Sequence, residues 1–261
     1  MSLVKKIVLD ASRAQVWDAV ATGPGLSSWF VPHELEPRRG GTGRAEFGGL
    51  TFVEGRVLAY EPGHRIVLGA ERIAHDVGAE PEPESDTGLE FWIGTSEDDP
   101  DGSRTTLYFR QRGFPEADQA AYEAGWDVYF HTLTEYFKYF APMPSATTTG
   151  LVLPPMGRSD AFQRMLQSFG VTNGIEVGQE LTLRPRGRET DAITGVVDLW
   201  MMQPHLEGLG VRTETGFLRT TSAVLGVMLN VYNYAADPVP EATRREQAAS
   251  WQSWLVDQFA G

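Results

Sequence analysis

Two segments of this chain repeat each other. PEADQAAYEAGW begins at Pro115 and PEATRREQAASW at Pro240, and in each a Pro-Glu-Ala opening leads to a Trp eleven residues on, at Trp126 and Trp251. Proline suits the start of a helix, because its missing N–H is one that a first turn leaves unpaired anyway. Each segment follows strand-like runs. Gly195-Val-Val-Asp-Leu-Trp similarly echoes Gly55-Arg-Val-Leu-Ala-Tyr, with Pro204 and Pro62 close behind. A chain written this way is constrained to build one architecture twice, the second time loosely.

The chain has 261 residues, enough for two domains that each bury a core. It has no cysteine, so disulfides, thiolate nucleophiles and cysteine metal sites are excluded. Its net charge of −13 is repelled by phosphate backbones and anionic headgroups, which argues against nucleic-acid and membrane partners. No run of about 18 apolar residues is present, and the start lacks a signal-peptide core. The expectation is a cytoplasmic protein that inserts in no membrane. The sequence leaves its oligomeric state open.

Lys5–Leu9 reads as a strand, and Ser12 with Gln15 as a capping box for the helix through Val16-Trp17 and Ala19-Val20. Gly23-Pro24-Gly25 ends that helix. Antiparallel strands follow at 44–47, 50–53, 55–60, 65–68, 89–93 and 105–111, interrupted by an acidic, proline-rich insert at 76–88 and an acidic turn at 97–102. A long helix is predicted over 116–140. At 100° per residue, Phe130, Leu133, Phe137 and Phe140 fall within about 40° of Trp126, while Asp127, His131, Glu135 and Lys138 fall on the other side. Ser145–Gly150 reads as a linker. The second half repeats the order: a strand at 151–153, a helix capped by Ser159 or Asp160, strands at 180–184, 192–202, 216–221 and 227–234, and a closing helix with Trp251, Trp254, Leu255 and Phe259.

The run Lys6-Ile-Val-Leu-Asp-Ala-Ser, then Val16-Trp17-Asp-Ala-Val and Gly25-Leu-Ser-Ser-Trp29-Phe30, resembles the opening of the START-like SRPBCC superfamily in its AHSA-type branch. Gly55-x-Val-x-x-Tyr-Glu61-Pro62-x-His-Arg and Gly125-Trp126 fit as well. The resemblance covers about residues 4–140. It implies an α+β helix-grip fold, in which a curved antiparallel sheet wraps a long C-terminal helix around a cavity, present here as a tandem pair. Domains are expected at 1–144 and 151–261 with a linker at 145–150, the second domain being a degenerate copy that lacks the Trp-Phe pair. The resemblance also implies a hydrophobic small-molecule partner, although relatives include cyclases, hydratases and co-chaperones, so the fold leaves activity open.

The candidate ligand-binding residues are Trp29, Phe30, Trp126, Tyr129, Phe130, Leu133, Phe137 and Arg110. The stripe on the long helix would serve equally as a cavity wall or as ordinary core. Trp29 and Phe30 suit a cavity mouth or a plug beneath the helix. Tyr129 and Tyr136 would offer hydroxyls at its edge. Arg110 would anchor a carboxylate if its strand face points inward, and otherwise only balances an acidic surface. His33 could serve as an acid or base near the mouth or stand exposed in a loop. His131 is expected in solvent. His64, His75 and His205 have no partners at ligand spacing. Glu46 and Glu54 depend on strand parity. Gly40-Gly41-Thr-Gly43 lacks phosphate-loop spacing and reads as a turn, and no metal, cofactor or nucleophile-elbow motif occurs. The chain therefore reads as a binding protein for a hydrophobic or aromatic small molecule. A cavity enzyme using acid–base chemistry and a chaperone-associated protein-binding module are the alternatives.

Overall fold

The computed structural model describes residues 1–49, 51–74, 87–94, 103–172 and 174–260. The first half runs β1 (Ser2–Leu9), α1 (Arg13–Ala21), α2 (Gly23–Ser27), β2 (His33–Leu35), β3 (Thr42–Gly48), β4 (Thr51–Glu61), β5 (Arg65–Ala74), β6 (Gly88–Ile93), β7 (Thr105–Arg112) and α3 (Gln119–Tyr139). The second runs β8 (Ser145–Val152), α4 (Arg158–Ser168), β9 (Glu180–Leu183), β10 (Ile193–Gln203), β11 (Leu206–Arg212), β12 (Gly216–Ala223), β13 (Gly226–Tyr234) and α5 (Glu241–Phe259). The expected capping box starts α1, with Ser12 and Gln15 satisfying each other's backbone N–H. The acidic insert and His75 fall almost wholly outside the described residues.

Each half contributes one antiparallel sheet, seven strands in the order β1-β7-β6-β5-β4-β3-β2 and six in the order β8-β13-β12-β11-β10-β9. In both, the first strand pairs with the last, the others meander, and a long helix follows the last strand. The correspondence extends to detail. The β4–β5 register slips between Val57 and Ala59, and the β10–β11 register between Val197 and Leu199. The extra residue lies three past the glycine of the repeated motif both times, at Leu58 and at Asp198.

The layers stack as sheet, helix, sheet, helix. One face of α3 joins α1, α2 and the inner face of the first sheet in a core that includes Trp29, Phe91, Phe109, Trp126, Phe130 and Leu133. The opposite face meets the second sheet, where Ala124 and Val128 pack on Leu199 and Leu206. The second sheet turns its other face to α4 and α5, with Val197, Leu209, Leu218, Leu229, Phe162, Phe169 and Trp254 as the core.

Three expectations need correction. Ser145–Gly150 is no linker: it forms most of β8, which pairs along its length with β13. Three threonines and an alanine there suit a strand buried on both sides. The strand β11 was not foreseen, because Gly208 and Gly210 weaken its signal. Gly210 is needed because Arg219 lies over it: a Cβ there would come within 2.5 Å of the Arg219 Nη1. Helix α4 starts at Arg158 with Gly157 as its cap, and neither Ser159 nor Asp160 caps it.

Candidate functional site

Helix α2 is a single short turn whose cap, Thr22, accepts from the Gly25 N–H. Beyond it the chain dives inward, carrying Trp29 and Phe30 beneath α3. The Trp29 indole donates to the Ala19 carbonyl at 2.9 Å, which fixes its ring while the rest is fully buried. It stacks on Phe30 and Phe130 with centroids 5.8 and 5.7 Å away, and meets Phe91 edge-on. Phe30 in turn touches Trp126, Tyr129, Phe47 and His33 at 4.9, 4.4, 5.8 and 5.2 Å. Trp126 packs on Phe109 at 4.1 Å and donates to the Gln111 Oε1 at 2.5 Å.

The grip of the first sheet on α3 thus closes on a continuous aromatic cluster. Trp29, Phe30, Trp126, Phe130 and Leu133 lie at its heart, and Tyr129 and Phe137 are partly buried at its margin. These rings fill the interior with their own packing.

Besides Gln111, two polar groups touch the cluster, His33 and Tyr129. His33, on edge strand β2, is partly buried rather than a free loop residue. Its Nδ1 lies 2.7 Å from the Val31 carbonyl oxygen, so in the neutral ring Nδ1 carries the proton and Nε2 is left as acceptor. Burial lowers its pKa to about 4, against the smaller opposing effect of the Val31 carbonyl. The Tyr129 hydroxyl lies 3.2 Å from the Met228 sulfur, and burial holds its pKa well above the usual phenol value. At neutral pH both side chains are uncharged.

The wall that carries Trp29 and Phe30 is held from the second half. The Tyr232 hydroxyl donates to the Phe30 carbonyl at 2.6 Å and lies 3.2 Å from that of Trp29. The Tyr234 hydroxyl donates to the Ser28 carbonyl at 2.5 Å. Ser145 and Thr147 donate to the Ser27 carbonyl at 3.0 and 2.5 Å. Three carbonyls just past α2, those of Ser27, Ser28 and Phe30, thereby accept from hydroxyls on β8 and β13. Tyr234 also stacks on Phe140 at 4.4 Å, which ties the end of α3 to the same sheet.

Further along α3, His131, expected in solvent, meets charge instead. Arg219, 1% exposed, holds Asp198 through two hydrogen bonds of 2.7 and 2.6 Å and donates to the Thr132 hydroxyl at 3.1 Å. The bulge at Asp198 aims that carboxylate toward α3. His131 Nε2 is 3.7 Å from it, so His131 faces the second sheet rather than solvent. Burial alone would raise the Asp198 pKa, but the Arg219 charge and the bonds from His131 and Arg219 outweigh it and leave it below normal. Glu135 lies 4.0 Å from Arg212.

Other candidates fall elsewhere. Arg110 points to the outer face of the first sheet, because Leu107, Phe109 and Gln111 take the inward parity of β7. There it is 3.2 Å from Glu90, which also binds Arg65 at 2.7 Å, so it cannot anchor a ligand inside the grip. Glu46 and Glu54 both pair with Arg44 and are partly exposed, which removes them as buried acids. His64 contacts Arg13 at 3.3 Å. Among the described residues no group of three or more His, Cys, Asp or Glu could hold a metal ion, and no helix is long and apolar enough to cross a membrane.

Tyr232, Tyr234, Asp198 and Arg219 went unremarked in the sequence. A signal for the tyrosines was available: Val227, Leu229 and Val231 alternate with Met228, Asn230, Tyr232 and Tyr234, a strand with something to bury on each face.

Residues 10–138 match the model of the activator of Hsp90 ATPase homolog 1-like protein family. Among solved structures, CalU16 from Micromonospora echinospora is 19% identical over 54% of this chain and 76% of its own, with a TM-score of 0.41. DynU16, described as a putative protein in the dynemicin biosynthetic locus, is 19% identical over 98% of this chain and 96% of its own, with a TM-score of 0.43. The Aha1 dimer from Colwellia psychrerythraea is 20% identical over 52% and 96%, with a TM-score of 0.41. No curated protein matches the sequence.

Proposed function

Because residues 10–138 form an AHSA-type domain of the SRPBCC superfamily, we propose that this chain binds a hydrophobic or aromatic small molecule between its first sheet and α3. Members of the superfamily bind hydrophobic ligands in that place. The observation that carries the reading is the aromatic cluster around Phe30, together with its uncharged polar rim of His33 and Tyr129. Here Phe30 joins five other aromatic rings at one point, and two of those carry groups able to read a ligand's donor or acceptor. A guest enters by displacing Phe30 and the partly buried Phe47, and each Å² of apolar surface it buries contributes roughly 25 cal/mol before ordering costs.

The second half, a divergent copy of the same architecture, serves in this reading as a buttress. Its hydroxyls hold the Ser27–Phe30 wall and its charges hold the far side of α3. This makes residues 1–144 and 145–261 two copies with different duties, with β8, once expected to be a linker, belonging to the second.

The test uses an uncharged fluorescent probe, N-phenyl-1-naphthylamine, titrated into the full chain. Saturable binding that Phe30→Trp abolishes by filling the point of entry, and that Arg110→Ala leaves unchanged, is the expected outcome. Binding that is absent, or indifferent to Phe30, refutes the proposal.

A further inference from the structure

A second site lies far from the aromatic cluster, on the outer side of the second half. The segment Arg184-Pro-Arg-Gly-Arg places three arginines in five residues of a chain whose net charge is −13. Beyond β9 it bends along α5 and forms one wall of an open cleft of about 670 Å³. Arg186 and Arg188 from this segment, with Arg164 from α4, line it beside the hydroxyls of Ser250 and Ser253.

The local structure already employs part of this charge. Arg164 Nε donates to the Gln258 carbonyl at 2.6 Å, close to the C-terminal end of α5. Arg188 pairs with Asp191 at 2.7 Å and stacks over the Trp251 ring at 4.2 Å. Two donors are left over. The Arg186 side chain is exposed and makes no hydrogen bond or ion pair among the described residues, although its carbonyl accepts from the Trp254 indole at 3.0 Å, which fixes the backbone beneath it. The Arg188 Nη1 is enclosed and has no acceptor among the described residues. A buried guanidinium N–H without a partner is costly, and a bound oxyanion is the chemistry that satisfies it. Among the described residues Asp257 is the one carboxylate lining the cleft, against Arg164, Arg186 and Arg188.

We propose that this cleft binds a small molecule bearing an oxyanion, a phosphate monoester or a carboxylate, between Arg186, Arg188 and the Ser250 and Ser253 hydroxyls. The concave shape and volume suit a small ligand rather than an extended chain. The site is independent of the aromatic grip.

The experiment measures binding of inorganic phosphate and of acetate to the full chain at constant ionic strength, by calorimetry and by the rise in melting temperature. Saturable binding of either anion is expected. Arg186→Gln should weaken it at least tenfold without lowering the melting temperature of the ligand-free protein, because this side chain supports no other contact. Arg38→Gln, on the first half and paired only with Glu36, should change nothing. Tighter phosphate than acetate assigns the site to phosphate esters, and the reverse order to carboxylates. If neither anion saturates, or if Arg186→Gln binds as the parent does, the proposal is overturned.

Discussion

Replacing Tyr232 with Phe removes one oxygen and leaves the ring in place, so no cavity confuses the result. That hydroxyl has a single proton, and the 2.6 Å distance assigns it to the Phe30 carbonyl rather than to Trp29 at 3.2 Å. Phe30 and Trp29 are 3% and 0% exposed, so water has little access to replace the lost donor. Stranding one buried carbonyl costs about 1–3 kcal/mol. In a cooperative unit of this size, each kcal/mol shifts the melting temperature by roughly 2–4 °C, so about 2 kcal/mol corresponds to roughly 4–8 °C. Tyr234→Phe should cost a similar amount through the Ser28 carbonyl. Scanning calorimetry and urea unfolding of the two variants and their double mutant check this. The double variant should also bind the naphthylamine probe with altered affinity, since the wall that carries Phe30 loses its tether. If Tyr232→Phe melts within a degree of the parent and unfolds at the same urea concentration, the hydroxyls hold nothing and the buttress argument fails.

Other perturbations have defined outcomes. The folded-state pKa of His33 is about 4 against 6.5 unperturbed, so the unfolded chain takes up this proton first as pH falls. The stabilisation tied to its neutral form is complete above about 6.5, and up to about 3 kcal/mol of it is lost as pH falls to about 4. His33→Gln should therefore flatten that part of the urea-midpoint profile. Asp198→Asn leaves the Arg219 guanidinium buried opposite a neutral amide and should cost about 3–5 kcal/mol by chemical unfolding, whereas Glu36→Gln, exposed and paired with Arg38, should leave the unfolding midpoint nearly where it was. A fragment of residues 1–144 leaves the Ser27–Phe30 carbonyls without their hydroxyls and uncovers Ala124 and Val128, so it should aggregate or melt well below the full chain by circular dichroism.

Much of the fold was legible because each half states its pattern locally. Turn glycines, the Ser12 capping box and the Trp126–Phe140 stripe are short-range signals, and they place helix and sheet correctly. What failed depended on a neighbour distant in sequence. Asp127, His131, Glu135 and Lys138 trace a polar face on α3, and a polar face is ordinarily solvated. Asp127 and Lys138 are indeed exposed, but the second sheet brings Asp198 to His131 and Arg212 to Glu135, which no helical periodicity can announce. Ser145–Gly150 failed for the same reason, since a threonine-rich run following two prolines looks like a linker until β13 pairs with it. Arg110 turned on strand parity, where one residue decides between the interior and the surface.

The repeat itself explains why the halves differ where they do. Both copies bulge three residues past the motif glycine, yet the extra residue is Leu58 in the first sheet and Asp198 in the second. Leu58 is 53% exposed, on the free outer surface of the first sheet. Asp198 faces α3, whose opposite side belongs to the core of the first half. The same backbone irregularity thus carries an exposed leucine in the first sheet and the acceptor of a buried arginine in the second. This is what docking a second copy onto α3 demands: a polar helix face can be covered only by a sheet that answers its charges. Where the covering sheet instead meets the α2 end, the requirement is for donors, and it presents Ser145, Thr147, Tyr232 and Tyr234. The second sheet therefore presents its polar and charged groups on the face turned toward the first half, and the aromatic grip lies in the half that carries Trp29 and Phe30.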